Sequence, residues 1–227
     1  FYHMWFNNEL ILNGEYGLQI GRTLKENIDK GVLDNDFLNN VLIRATAASD
    51  ARMDGCEKPV MTNSGSGNQG ITVYLPVVVA AERFDCSREQ LIRALALSNL
   101  VAAHIHYYMG HLSALCGITI AATGSASAIT YLMGGTYAQM VNTIKTMCSN
   151  LTGMMCDGAK QGCALKVYSG TSAAVQAALL SMKGIKTRND GVVEEDIEKT
   201  IRNVGIIGSV GMEQTDKTIL DIMCHKA

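Results

Sequence analysis

Apolar residues recur at helical spacing along most of this chain. Leu10, Leu12, Leu18, Ile20, Leu24 and Ile28 predict one helix from Leu10 to Lys30, stopped by Gly31. A second runs from Asp34 to Met53 and ends at Asp54-Gly55. After Pro59 the pattern gives way to Asn63-Ser-Gly-Ser-Gly-Asn-Gln-Gly70, made only of polar residues and glycines. A short apolar helix follows over Ile71 to Arg83, with Pro76 inside it as a kink or first-turn residue. Ser87-Arg-Glu-Gln90 is a capping box, so the next helix starts after Ser87 and reaches about Tyr108. Leu115 to Leu132 reads as a buried helix closed by Gly134-Gly135, and Tyr137 to Ser149 as another. Met154 to Lys166 is a loop held open by Gly158 and Gly162. Further helices are expected from Ser172 to Met182, from Glu194-Glu-Asp onward, and from Glu213 to Met223. There is no period-two strand pattern and no internal repeat. The expectation is an all-α, compact bundle of about eight helices around central small-residue helices. No linker divides it, so residues 1–227 are read as one domain.

Composition narrows the class. The chain has 48% hydrophobic and only 18% charged residues, which shifts the balance toward core. A formal net charge of −2 excludes the basic footprint of a nucleic-acid binder, and no membrane partner is called for either. Ala94 to Ile144 contains no Asp, Glu, Lys or Arg. Asn99, His104, His106 and His111 interrupt the first part of that run, and the rest is mostly Gly, Ala, Ser and Thr. Helices buried inside a bundle explain it better than membrane spans. The start, Phe-Tyr-His-Met-Trp-Phe-Asn-Asn-Glu, lacks the regions of a signal peptide. Seven cysteines are an odd count in a chain too long for a disulfide scaffold, so the reading is a reduced, cytoplasmic protein. Low charge and small-residue helices also leave room for a homo-oligomer.

Three cysteines stand in glycine- or alanine-rich runs: Cys116, Cys156 and Cys163. Three thiolates leave a four-iron cluster with one iron open to Lewis-acid chemistry. Read as residues alone, they are equally three small buried hydrophobes or structural zinc ligands, although no Cys-x-x-Cys pair is present. Cys56, Cys86 and Cys148 have ordinary settings, and Cys224 lies three residues from the end. The stretch from Asn63 to Gly70, with Ser64, Ser66, Asn68 and Gln69 and several backbone N–H groups, can cradle an anion such as a carboxylate. It is no Walker loop, because no Gly-Lys-Ser or Gly-Lys-Thr follows. His104 and His106 are two apart and face different ways on a helix. His111 is a candidate proton donor or a structural histidine. Arg52 and Lys160 can each pair with a carboxylate or stay solvated.

Four stretches in order carry a resemblance: Ala48-Ser-Asp-Ala-Arg-Met-Asp-Gly-Cys56, Asn63 to Gly70, Leu112-Ser-Ala-Leu-Cys-Gly117 and Cys156-Asp-Gly-Ala-Lys-Gln-Gly-Cys163. Together they resemble the L-cysteine desulfidase family, related to the alpha part of the iron–sulfur L-serine dehydratases, from about Leu10 to Met223. The resemblance implies a serine-dehydratase-alpha-like fold and a 4Fe–4S cluster held by Cys116, Cys156 and Cys163. It implies substrate contacts from Asn63, Ser64, Gly65, Ser66, Asn68 and Gln69, and leaves the catalytic acid or base unknown. The implied reaction converts L-cysteine to pyruvate, ammonia and sulfide. L-serine dehydratase is the alternative, and a non-catalytic fragment with structural cysteines is another. The short spacing from Cys156 to Cys163 favours the desulfidase branch. Family members are about twice as long, and the match is to their C-terminal part. A small amino acid and the missing N-terminal part of the same protein are therefore the expected partners.

Overall fold

A computed structural model describes residues 9–110 and 113–225 of the chain. The described residues form ten α-helices: α1 (Glu9–Asn13), α2 (Ile20–Asp29), α3 (Phe37–Met53), α4 (Gly67–Arg83), α5 (Arg88–Met109), α6 (Gly117–Leu132), α7 (Tyr137–Leu151), α8 (Cys163–Met182), α9 (Ile197–Ile206) and α10 (Glu213–Cys224). A five-residue π turn, Ile207–Gly211, joins the last two. No strand is present among these residues, so the all-α expectation holds. His111 and the N-terminal residues through Asn8 lie outside the described part.

Helix α6 is the axis of the bundle. It packs against α4, α5, α7 and α8, and 14 of its 16 residues are buried. Its alanines and Gly124 let neighbours approach closely: a Cβ on Gly124 would lie 2.3 Å from the Ser98 carbonyl on α5. Its buried hydroxyls bond back into the helix. Thr123 Oγ1 donates to the Thr119 carbonyl at 2.8 Å, and Thr130 Oγ1 to the Ala126 carbonyl at 3.0 Å. Burial thus explains the central, α6 part of the charge-free run. Among the described residues no helix is long and apolar enough to cross a membrane.

Several expected boundaries are corrected. The helix read from Leu10 to Lys30 is two helices, broken at residues 14–19, where Gly17 and Gln19 take left-handed backbone (φ 54° and 55°). The break is set from a distance, because the Asp50 carboxylate on α3 accepts the Ile20 and Gly21 amides at 2.7 and 3.3 Å and so caps α2. The helix expected from Ile71 starts at Gly67, capped by Ser66, so half of the polar stretch is helical. The one expected from Ser172 starts at Cys163, which shortens the cysteine loop. The buried helix begins at Gly117 rather than Leu115, because Cys116 is its N-cap and Leu115 pairs with Met155. Glu194 and Glu195 precede α9, which Asp196 caps. The total therefore exceeds eight.

Candidate functional site

The N-terminus of α4 forms one wall. Asn63 and Ser66 exchange backbone hydrogen bonds at 3.2 and 3.0 Å across a tight turn, with Ser64 and Gly65 at φ 49° and 79°. Two successive left-handed residues make this a turn of the type that favours glycine at its second centre. Ser66 Oγ then accepts the Gln69 amide at 3.4 Å and opens the helix. Two glycines are required by close approach. A Cβ on Gly70 would fall 1.7 Å from the Met61 carbonyl, and one on Gly67 would lie 2.2 Å from Arg52 Nε. The Arg52 guanidinium therefore lies across the first residue of α4.

The cysteines form the facing wall, and each is positioned by backbone. Cys116 is the N-cap of α6, and Cys163 is the first residue of α8. An isolated antiparallel bridge pairs Leu115 with Met155. Beside it the Cys116 amide donates to Met154 at 2.8 Å, and the Cys156 amide to Ala114 at 2.5 Å. Two cysteines 40 positions apart in sequence (156 minus 116) are thus held on adjoining backbone. The Lys160 amide points at Cys163 Sγ at 3.5 Å. Burial pushes the Cys116 thiol up to about 11; the Ile118 amide and Lys166 pull it down, while Cys156 and Cys163 push it further up. Asp157, next to Cys156, accepts from Lys160 and, at 2.6 Å, from Lys166. The Lys160 and Lys166 ammonium groups hold its carboxyl at about 2. Burial disfavours the Lys166 charge, but Asp157 and the neighbouring thiols Cys116 and Cys156 outweigh it and raise its pKa.

Between the walls lies a cavity of about 450 Å³, within the range of small-molecule sites. Cys116, Cys156 and Cys163 all line it, as do Ser64, Gly65, Ser66, Asn68 and Gln69. Asn63 does not line it; its side chain turns to Asn99 Oδ1 at 3.0 Å and fastens the turn to α5. Asn68 reaches the cavity while its Oδ1 accepts from Ser49 Oγ at 3.2 Å. The Gln69 carboxamide packs over the Gly117 backbone, its oxygen buried without a donor. His106 and Arg52 also line the cavity. The sequence offered Arg52 as a carboxylate partner and gave His106 no role. His106 shares the phase of Ala102 and Met109, buried on the inner face of α5, and that spacing was the available signal. His104 points away, pairing with Glu198 at 2.9 Å. Cys148 is buried in the core, and Cys224 is exposed.

The donor set suits a polynuclear group. Among the described residues no three His, Cys, Asp or Glu side chains converge as the ligands of one ion would. The three thiols instead line one cavity, two of them at helix N-termini. A cluster asks for this arrangement, since each thiolate binds its own iron.

The family model for the serine dehydratase alpha chain matches residues 4–221. A UPF0597 protein of Phocaeicola vulgatus is 51% identical over 220 residues, covering 96% of this chain and 51% of the relative. One from Oleidesulfovibrio alaskensis is 51% identical over 213 residues, covering 93% and 50%. One from Shewanella pealeana is 50% identical over 216 residues, covering 95% and 50%. The chain spans about half the length of the curated relatives it matches. No solved structure matches it. A match over nearly the whole chain, together with the all-α fold, makes this protein a member of the serine dehydratase alpha chain family.

Proposed function

We propose that this chain carries the cluster-binding site of a lyase that eliminates a β-substituent from a small L-amino acid. L-cysteine is the preferred substrate, giving sulfide, pyruvate and ammonia. L-serine, giving pyruvate and ammonia, is the second reading. The observation that carries the proposal is the meeting of Cys116, Cys156 and Cys163 with the turn at residues 64–69 on one cavity. When bound, a 4Fe–4S cluster with three thiolate ligands supplies an open Lewis-acid iron that polarises the leaving group. The chain supplies the rest. Cys116, Cys156 and Cys163 would hold the cluster, and Lys166 would offset part of its negative charge. The α4 N-terminus faces the substrate with amide donors, which favour a carboxylate and the charge that grows as Cα loses its proton. His106 is the cavity-lining imidazole and the candidate for moving that proton. Elimination leaves aminoacrylate, which hydrolyses in water to pyruvate and ammonia. The bonds from Lys160 and Lys166 to Asp157 keep the loop between two of the thiols in shape.

Anaerobic reconstitution with iron and sulfide tests the reading. The expected result is a brown protein whose visible absorption and bound iron fall away in Cys116→Ala, Cys156→Ala and Cys163→Ala alike. A colourless wild type, or variants that load as well as wild type, would remove the cluster from the proposal. In the full-length context, pyruvate release from L-cysteine and from L-serine decides between substrates. His106→Asn is expected to lower kcat by about 10²–10⁴-fold while cluster loading persists.

A further inference from the structure

We infer that Arg52 and Gln69 form a two-ended subsite that reads the carboxylate and the ammonium of the substrate, so that the site accepts zwitterionic amino acids and rejects their singly charged analogues. The inference rests on the lyase reading above and deepens it.

Three observations carry it. Arg52 lines the cavity, and its guanidinium lies across Gly67 at the start of α4, where any side chain would displace it. Its recorded contact is with Met53 Sδ at 3.1 Å, and it makes no ion pair among the described residues. None of the described residues lining the cavity is acidic. A guanidinium and the amide end of a 17-residue helix therefore face the same space with no carboxylate to answer them. Gln69 is the second, independent sign of a ligand. It is 8% exposed, it lines the cavity, and its oxygen has no hydrogen-bond partner. A buried carboxamide left unsatisfied is costly unless something completes it. An ammonium held beside Gln69 would supply the donor that this oxygen lacks. The acidic neighbours of Arg52 on its own helix are both engaged elsewhere: Asp50 caps α2, and Asp54 accepts from Gln161 at 2.7 Å. The guanidinium is left for a carboxylate from outside the chain, in the bidentate geometry arginine provides.

Binding to the chain without its cluster tests this separately from turnover. The probes are L-serine, 3-hydroxypropionate, which lacks the ammonium, and ethanolamine, which lacks the carboxylate. Wild type should bind L-serine more tightly than either. Arg52→Met should weaken L-serine and 3-hydroxypropionate by about tenfold or more and leave ethanolamine unchanged. Gln69→Met should weaken L-serine and ethanolamine and leave 3-hydroxypropionate unchanged. Arg52→Lys should restore part of the carboxylate affinity. Thermal melting confirms that each variant folds. Equal weakening of all three probes, unchanged L-serine affinity in both variants, or a wild type that does not bind L-serine would overturn the inference. So would an Arg52→Met chain that keeps L-serine affinity and loses only the cluster, because Arg52 would then serve the metal. If the subsite behaves as expected while no cluster forms, the lyase reading fails and the subsite stands.

Discussion

Asp50 shows how one side chain can organise the fold. Its carboxylate is 2% exposed as a residue, raised in pKa first by burial, and yet held by the Ile20 and Gly21 amides. Asp50→Ala removes the cap of α2 and is expected to cost about 1–2 kcal/mol, read as a lower urea midpoint. A carboxyl with a raised folded pKa binds its proton more tightly folded than unfolded. Its contribution is therefore complete below the usual carboxylate range and declines as pH rises through the raised value. Asp157 has the opposite sign: its folded carboxyl sits near 2, so its contribution is present above about 4 and is lost as pH falls toward 2. Stability measured against pH should lose that acid-side increment in Asp157→Asn and keep it in wild type. The thiols offer a sharper check. Burial pushes Cys148 to about 12 and Cys116 to about 11, whereas Cys224 is exposed. In the cluster-free chain alkylated near neutral pH, Cys224 should react first and Cys148 and Cys116 last, as read by peptide mass spectrometry.

Helix ends decided how much of the site could be read from sequence. Caps that sit next to their helices were legible. Ser87 and Gln90 close a capping box on α5, and Asp36 caps α3 at 2.8 Å. The same grammar was present at Ser66-Gly-Asn-Gln69, but the glycines and amides around it masked the start of α4. At α8 no side chain caps the helix, because Gly162 is the N-cap, and only tertiary packing defines the first two turns. Gly170 inside that helix looks like a breaker in sequence; in the fold it admits Ile118 of α6, 2.8 Å from where its Cβ would be. The break between α1 and α2 depends on a carboxylate 30 residues away from the amide it accepts, and no local pattern encodes that. The cysteines and the turn at residues 64–66 could be singled out because their patterns are local. That Gln69, Arg52 and His106 line one cavity was not legible, because it comes from which helices meet. Gly124→Leu tests the tightest of those meetings: with the α5 carbonyl 2.3 Å from a Cβ, it should lower the melting temperature markedly, whereas exposed Gly184 at φ 78° sits in open space.

Across the whole molecule, burial falls from the axis outward. Helix α6 is enclosed on every side, and α10 has no buried residue. Amide exchange should therefore be slowest in α6 and fastest in α10, with α5 and α8 following α6 because they pack on it. The cavity lies at the ends of these rigid helices, so its walls belong to the slow-exchanging part of the fold. Met223 of α10 is the outer neighbour of the cysteine loop, with its methyl 3.1 Å from where a Cβ of Gly158 would stand. The bridge between Leu115 and Met155 adds a constraint of another kind, one of timing. A ribosome delivers Cys116 with its turn of chain well before Met155, and Cys163 later still. The three thiols cannot share a cavity until the α6 and α7 hairpin has closed and α8 has docked. Anything that binds all three thiols at once therefore favours the folded chain over the unfolded one, so binding and folding are thermodynamically linked.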